Sequence, residues 1–196
     1  MKFILILFTF LIMAISGCTS SNIKIEANPN VKEAEQTLSQ FDDVEWPNCE
    51  KYFSVDECII DFAGQQKNPK PCLKLVSTKS HILCKTNVAV ELNNKDICKL
   101  EASSEGRKYC ENVLDKKIDF CSEQSDANKR VYCYSFIAKA QKDASICDVF
   151  GEEDYGQTMK NICLLEVAKS TLDKTICDKI TNLGTYHDRC LEVTNA

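Results

Sequence analysis

The sequence predicts an all-α protein built as an array of about six short, disulfide-linked helical hairpins, an α-solenoid-like arrangement. Three observations predict it. A pattern built around cysteine returns every 23 to 30 residues from residue 47 onward. Apolar residues recur at helical spacing, as in Tyr132, Cys133, Phe136, Ile137 and Ala140, and no alternating strand pattern persists. Only six Gly and four Pro interrupt 196 residues.

The first element is a leader. Lys2 is the only charge before a largely apolar run from Phe3 to Ile15, 13 residues long. A membrane-spanning helix needs roughly 20 apolar residues, so this run suits the core of a signal peptide instead. Ile15-Ser16-Gly17-Cys18 follows. It resembles the lipobox of bacterial lipoproteins, an aliphatic residue and two small residues before a cysteine. The resemblance implies a diacylglyceryl thioether on Cys18, cleavage after Gly17 and, in many bacteria, N-acylation of the new terminus. Residues 1–17 are then the signal peptide. Thr19 and Ser20 follow, without the Asp that marks inner-membrane retention, which resembles outer-membrane sorting in a diderm host. Two or more acyl chains anchor stably, at ~0.8 kcal/mol per buried methylene.

This reading also explains a count. The chain has 13 cysteines, an odd number, and lipidation of Cys18 leaves twelve, all from Cys49 onward. They lie outside the cytoplasm, where disulfides persist. Loss of Lys2 with the leader moves the net charge from −5 to −6. An acidic chain without an Arg-rich face argues against a nucleic-acid partner.

Residues 18–28 carry the lipidated Cys and a polar, flexible tether. Asn28-Pro29 then reads as a helix start, with a capping Asn and Pro in the first turn. Val31, Ala34, Leu38 and Phe41 recur at helical spacing, so 29–46 is expected to be a short amphipathic helix, to about residue 41, and a linker. Its apolar stripe is expected to cap the downstream domain, with docking of a partner as the alternative. Trp46-Pro47 opens that domain, and Trp46 is expected to pack under the first repeat.

The repeat domain spans 47–196. Its unit is D-x-x-I-C-x-x-I, a short gap, then R/K/H-x-x-C-x-x-x-V/A-A. Asp143-Ala-Ser-Ile-Cys147 runs on to Lys160-Asn-Ile-Cys163, and Asp173-Lys-Thr-Ile-Cys177 to His187-Asp-Arg-Cys190. The first cysteine of each copy falls at 49, 72, 98, 121, 147 and 177, in steps of 23, 26, 23, 26 and 30. Such a period suits a two-helix unit. Each half reads as a helix, with Asp143 and Asp173 as N-caps. Copy one, from Cys49 to Cys58, is degenerate.

Spacing leaves two phases of pairing. One joins cysteines about 14 apart, 58 to 72, 84 to 98, 133 to 147 and 163 to 177, and leaves Cys49 and Cys190 to meet across the array. The other joins Cys49–Cys58, Cys72–Cys84, Cys98–Cys110, Cys121–Cys133, Cys147–Cys163 and Cys177–Cys190. Hairpin geometry favours the second. Cys177 and Cys190 straddle Gly184-Thr185 evenly, whereas Cys163 and Cys177 lie unequally far from Asp173, an offset of roughly 7 Å at ~1.5 Å per helical residue. Closing a loop of about 12 residues removes ~2–3 kcal/mol of unfolded-state entropy.

Several chemistries find no motif. CxxC, CxxCH, GxSxG, HExxH and a phosphate-cradling Gly loop are all missing, and the cysteine spacing is unlike that of zinc sites. The sequence therefore nominates no catalytic residue, metal ligand or cofactor. His81 and His187 sit three residues before Cys84 and Cys190, where Arg107, Arg130 and Lys160 stand in other copies. They read as a surface position that takes a basic residue. Glu152-Glu153-Asp154, with Asp148, reads as a solvated loop and helix start.

The architecture loosely resembles Sel1-type and TPR-type repeat proteins, although their Gly, Ala and Tyr positions are missing and the period is shorter. The resemblance implies a groove that scaffolds protein partners. The expectation is a non-enzymatic, lipid-anchored envelope protein, held to the bilayer through Cys18 and binding a protein partner. A thiol-redox or metal-binding envelope protein and a structural spacer are the alternatives.

Overall fold

The computed structural model describes residues 36–49, 52, 54–151, 154–181 and 184–195. The expected leader, Cys18, the expected tether, the first part of the helix expected from residue 29, and Glu152 and Glu153 lie outside the described residues. Every regular element among the described residues is helical.

The chain forms α1 (Val55–Gln65), η1 (Lys70–Lys74), α2 (Thr78–Leu92), η2 (Lys95–Leu100), α3 (Ser104–Leu114), α4 (Ile118–Ser122), α5 (Ala127–Gln141), η3 (Ala144–Val149), α6 (Asp154–Thr171), η4 (Lys174–Lys179) and α7 (Thr185–Thr194). The elements marked η are 3₁₀ helices. The two halves of the repeat are thus unequal. The first half is a 3₁₀ helix or a single α-turn of five or six residues, not a full α-helix. In copy one Cys49 lies in an irregular segment.

Local chemistry explains the short half. The Asn or Asp before it accepts from the backbone two residues on: Asn68 from Lys70, Asn94 from Asp96, Asp143 from Ser145 and Asp173 from Thr175, each at 2.9 Å. This tight turn favours i→i+3 bonding, which rarely persists beyond a few residues. The longer half begins on its own cap. Ser54, Ser77, Ser103 and Asp126 each accept from the amide three residues on.

Units are joined at a repeated backbone corner. Lys67, Asn93, Lys116, Lys142 and Leu172 all take positive φ, between 47° and 57°. They stand five residues before the first cysteine of the following unit. None is glycine, although a left-handed conformation costs an L-residue about 1–2 kcal/mol. Leu172 is also 63% exposed, so its side chain gives little in return. Leu172→Gly is expected to raise stability by ~0.5–1 kcal/mol after the entropy cost of glycine, measurable as a higher urea midpoint at unchanged m-value.

Twelve cysteines form six bonds, each within one unit: 49–58, 72–84, 98–110, 121–133, 147–163 and 177–190. Cα separations are 5.5–5.7 Å, within the ordinary range. The bonds run along the core, where Ile97, Tyr109, Val113, Phe136, Ile137, Leu164 and Val167 are also buried. Successive long helices pack together, and α2 also packs on α5.

The N-terminal helix ends before the expected residue 41. Residues 36–38 are helical, and a turn ends the helix before Phe41. Leu38 and Phe41 pack against the core. From residue 42 to 49 the chain has no regular structure.

Candidate functional site

Two features stand out, a surface cleft and a buried ionic cluster.

The cleft lies between residues 38–46 and the first two units. Its volume is ≈ 400 Å³ and its apolar lining is Leu38, Val44, Trp46, Phe62, Pro71 and Leu73. Buried Asn68 holds it in shape, donating to the carbonyl of Asp42 at 2.7 Å while accepting from the Lys70 amide at the start of η1. Lys70 pairs with Asp43 at 3.0 Å across the rim. The Lys74 ammonium stands 5.9 Å from the centre of the Trp46 ring, at the outer limit of cation–π range. Trp46 does not pack under the first repeat. It is 55% exposed because the segment carrying it is irregular and stands off η1 as one wall of the cleft. Leu73 is 53% exposed and Val76, three residues on, 97%.

The buried cluster joins the ends of the array. Lys169 of α6 donates to Asp61 of α1 and to Glu166 of its own helix, both at 2.7 Å. Arg189 of α7 pairs with Glu57 of α1 at 2.8 Å and with Asp61 at 3.5 Å, and its guanidinium lies 4.7 Å from the Tyr52 ring centre. Lys139 of α5 contacts Glu91 and donates to Asn87 of α2 at 2.8 Å. Asn87 in turn donates to the carbonyl of Ile60. A cavity of ≈ 70 Å³ lies among Asp61, Asn87, Lys139, Glu166 and Lys169.

Three cations here face four carboxylates. Burial pushes the Asp61 carboxyl up, and repulsion from Glu166 adds to this. Burial acts the same way on Glu166, but Lys169 and then Lys139 outweigh it, leaving its pKa lowered. Lys169 is held above its ordinary value, because Glu166 and Asp61 outweigh its desolvation. The cluster can clamp the first unit of the array to the last two.

The basic position before the second cysteine also takes a defined role. Arg107 donates to the carbonyl of Glu101 at 2.7 Å and Arg130 to that of Gln124 at 3.1 Å. Each ties a long helix to the end of the short helix before it, where carbonyls are otherwise unpaired. Lys160 instead pairs with exposed Asp148 at 2.8 Å. His81 and His187 are half-buried rather than on the open surface. His187 lies 3.8 Å from its chain neighbour Asp188. The α6 helix begins at Asp154.

Among the described residues no three His, Cys, Asp or Glu side chains are placed to hold a metal ion. No helix among them is long and apolar enough to cross a membrane. No protein-family model, curated protein or solved structure matches this chain.

The sequence reading missed the cluster, although a signal was present. Three residues after the second cysteine, copies three, four and six carry Val113, Phe136 and Val193, whereas copies one, two and five carry Asp61, Asn87 and Glu166. The polar exceptions meet at the cluster. Six residues after it, Lys139 and Lys169 occupy equivalent positions.

Proposed function

We propose that the chain is a lipid-anchored envelope lipoprotein whose stapled helical array acts as a non-catalytic interaction or scaffold module. The observation that carries this reading is the disposition of sulfur. Eleven of the twelve repeat cysteines have zero exposure, and all twelve are in bonds. Reactive thiols are partly exposed thiolates in electropositive surroundings, whereas buried cysteines are inert. Such bonds suit a scaffold that must keep its shape outside the cell's reducing compartment.

The lipobox-like Cys18 supports attachment to the membrane, on the outer membrane if the host is diderm. The partner held by the array is a protein, by analogy with helical repeats generally. Intact mass of the chain purified from a bacterial envelope tests the reading, with thiols alkylated under denaturing conditions before and after reduction. The expected result is an acylated terminus at Cys18, no label before reduction and all twelve repeat cysteines labelled after it. A free thiol before reduction would return the redox reading to the front. An unacylated Cys18 would remove the anchor.

A further inference from the structure

We propose that the Trp46 cleft is the face this protein lays against a phospholipid bilayer, with Trp46, Leu73 and Val76 entering the headgroup layer. The inference rests on the lipid-anchor reading and adds an orientation to it.

The first argument is the patch itself. Trp46 is the only tryptophan in the chain, and more than half of it is open to solvent. Leu73 shares the cleft with it, and Val76, three residues further along the chain, is almost wholly exposed. Scattered exposed apolar residues need no explanation, but a grouped set beside a cleft marks a binding face. Tryptophan prefers the membrane–water boundary, where its ring is in an apolar layer and its N–H is wet. Lys74, set against the indole, has a long apolar stem that lets its ammonium reach the headgroups.

Charge narrows the surface. The rim carries two acids, Asp43 and Glu45, and two bases, Lys70 and Lys74. That balance fits zwitterionic headgroups, which offer both a phosphate and an ammonium. It lacks the cluster of four or more basic residues that reads as recognition of anionic lipid.

The third argument is where the anchor enters. Gln36, the first described residue, is 18 positions after Cys18, and Leu38 already lines the cleft. A chain of that length spans at most ~60 Å fully extended, and less where part of it is helical. Along the chain, the cleft is therefore the described part nearest the anchor. Tethering supplies an effective concentration of order millimolar, so a weak contact suffices.

Fluorescence tests this directly, because Trp46 is the sole indole. The full mature chain, purified with its anchor, is reconstituted on vesicles of phosphatidylcholine and phosphatidylethanolamine. Vesicles whose acyl chains are brominated should quench most of the Trp46 emission, which should also shift to shorter wavelength. The Leu73→Glu, Val76→Glu double variant should lose that quenching several-fold with unchanged circular dichroism, since both side chains are exposed. Anchored protein whose emission brominated lipid leaves intact would overturn the proposal. So would shielding of Trp46 that appears only when a partner protein is added, which would make the cleft a protein site. Intact mass separates this from failure of the anchor. If Cys18 proves unacylated, the same quenching is read with the chain added to the vesicles. Quenching there sustains the docking face without the anchor, and its absence overturns it.

Discussion

Replacing Lys169 with methionine is expected to cost the fold about 3–5 kcal/mol. Among the described residues Lys169 is the one cation that contacts both Asp61 and Glu166 at 2.7 Å; the two carboxylates are buried and Lys169 is largely so. Methionine fills similar volume but leaves two carboxylates facing each other with little solvent. Arg189 is held mainly by Glu57, at 2.8 Å, and lies 3.5 Å from Asp61. An unpaired buried charge retains its desolvation cost without its compensation, so the loss exceeds that of the many exposed pairs, which are worth ~0–1 kcal/mol each. Urea unfolding of both proteins, with the disulfides intact, reads the difference.

The pH dependence separates lost charge from lost packing. In the variant, burial and mutual repulsion raise both carboxyls above their unfolded values. A carboxyl raised in the folded state favours folding below its unfolded pKa, and this contribution is lost as pH rises through the folded pKa. The variant should therefore recover part of its deficit as pH falls from 7 towards 5, relative to the parent. A deficit independent of pH would assign the effect to packing instead. Asp61 of the parent already has the same sign, being raised by burial and by Glu166.

Removing the Cys98–Cys110 bond through the double change Cys98→Ala, Cys110→Ala is expected to cost about 3 kcal/mol. The loop it closes has a sequence separation of 12, and the bond joins η2 to α3 in the middle of the array. Both sulfurs are wholly buried, so a small cavity adds to the lost chain constraint. Reduction of all six bonds is expected to be far more severe. The α-helices range from 5 to 18 residues, and isolated helices shorter than ~12–15 residues are marginal in water. Far-UV circular dichroism should show substantial loss of helix on reduction at 37 °C, whereas the oxidised protein is expected to keep it. A reduced protein that keeps its helical signal and its urea midpoint would mean that apolar packing alone holds the fold.

The array was legible in the sequence because its unit is short and its cysteines are conspicuous. The steps between Cys49, Cys72, Cys98, Cys121, Cys147 and Cys177 gave the copy boundaries, and the structure bonds the cysteines within those copies. Asp143 and Asp173 stand at the helix starts expected of them. The 3₁₀ form of the short halves was less visible, because i→i+3 and i→i+4 bonding bury much the same residues over one turn. The left-handed corners at Lys67, Lys116, Lys142 and Leu172 carried no signal, since only glycine or asparagine advertises that conformation. Trp46 was misplaced because an aromatic residue beside a proline reads as core. Whether it is buried depends on the path of residues 42–49, which carry no periodicity. The clamp required knowing that the ends of the array come together, and local patterns do not contain that distance.

That clamp sets the copy number. An open stack of repeats can gain or lose units, because each unit touches only its neighbours. Here Glu57 and Asp61 in the first unit are matched to Lys169 and Arg189 in the last two, across 108 and 132 residues of sequence. Duplicating a unit in the middle would carry those partners apart and strand charges at both ends, and deleting one would do the same. Variation between the units falls in their loops, as in the fifth step of 30 residues against 23 in the first, while the number six is held by electrostatics at the seam.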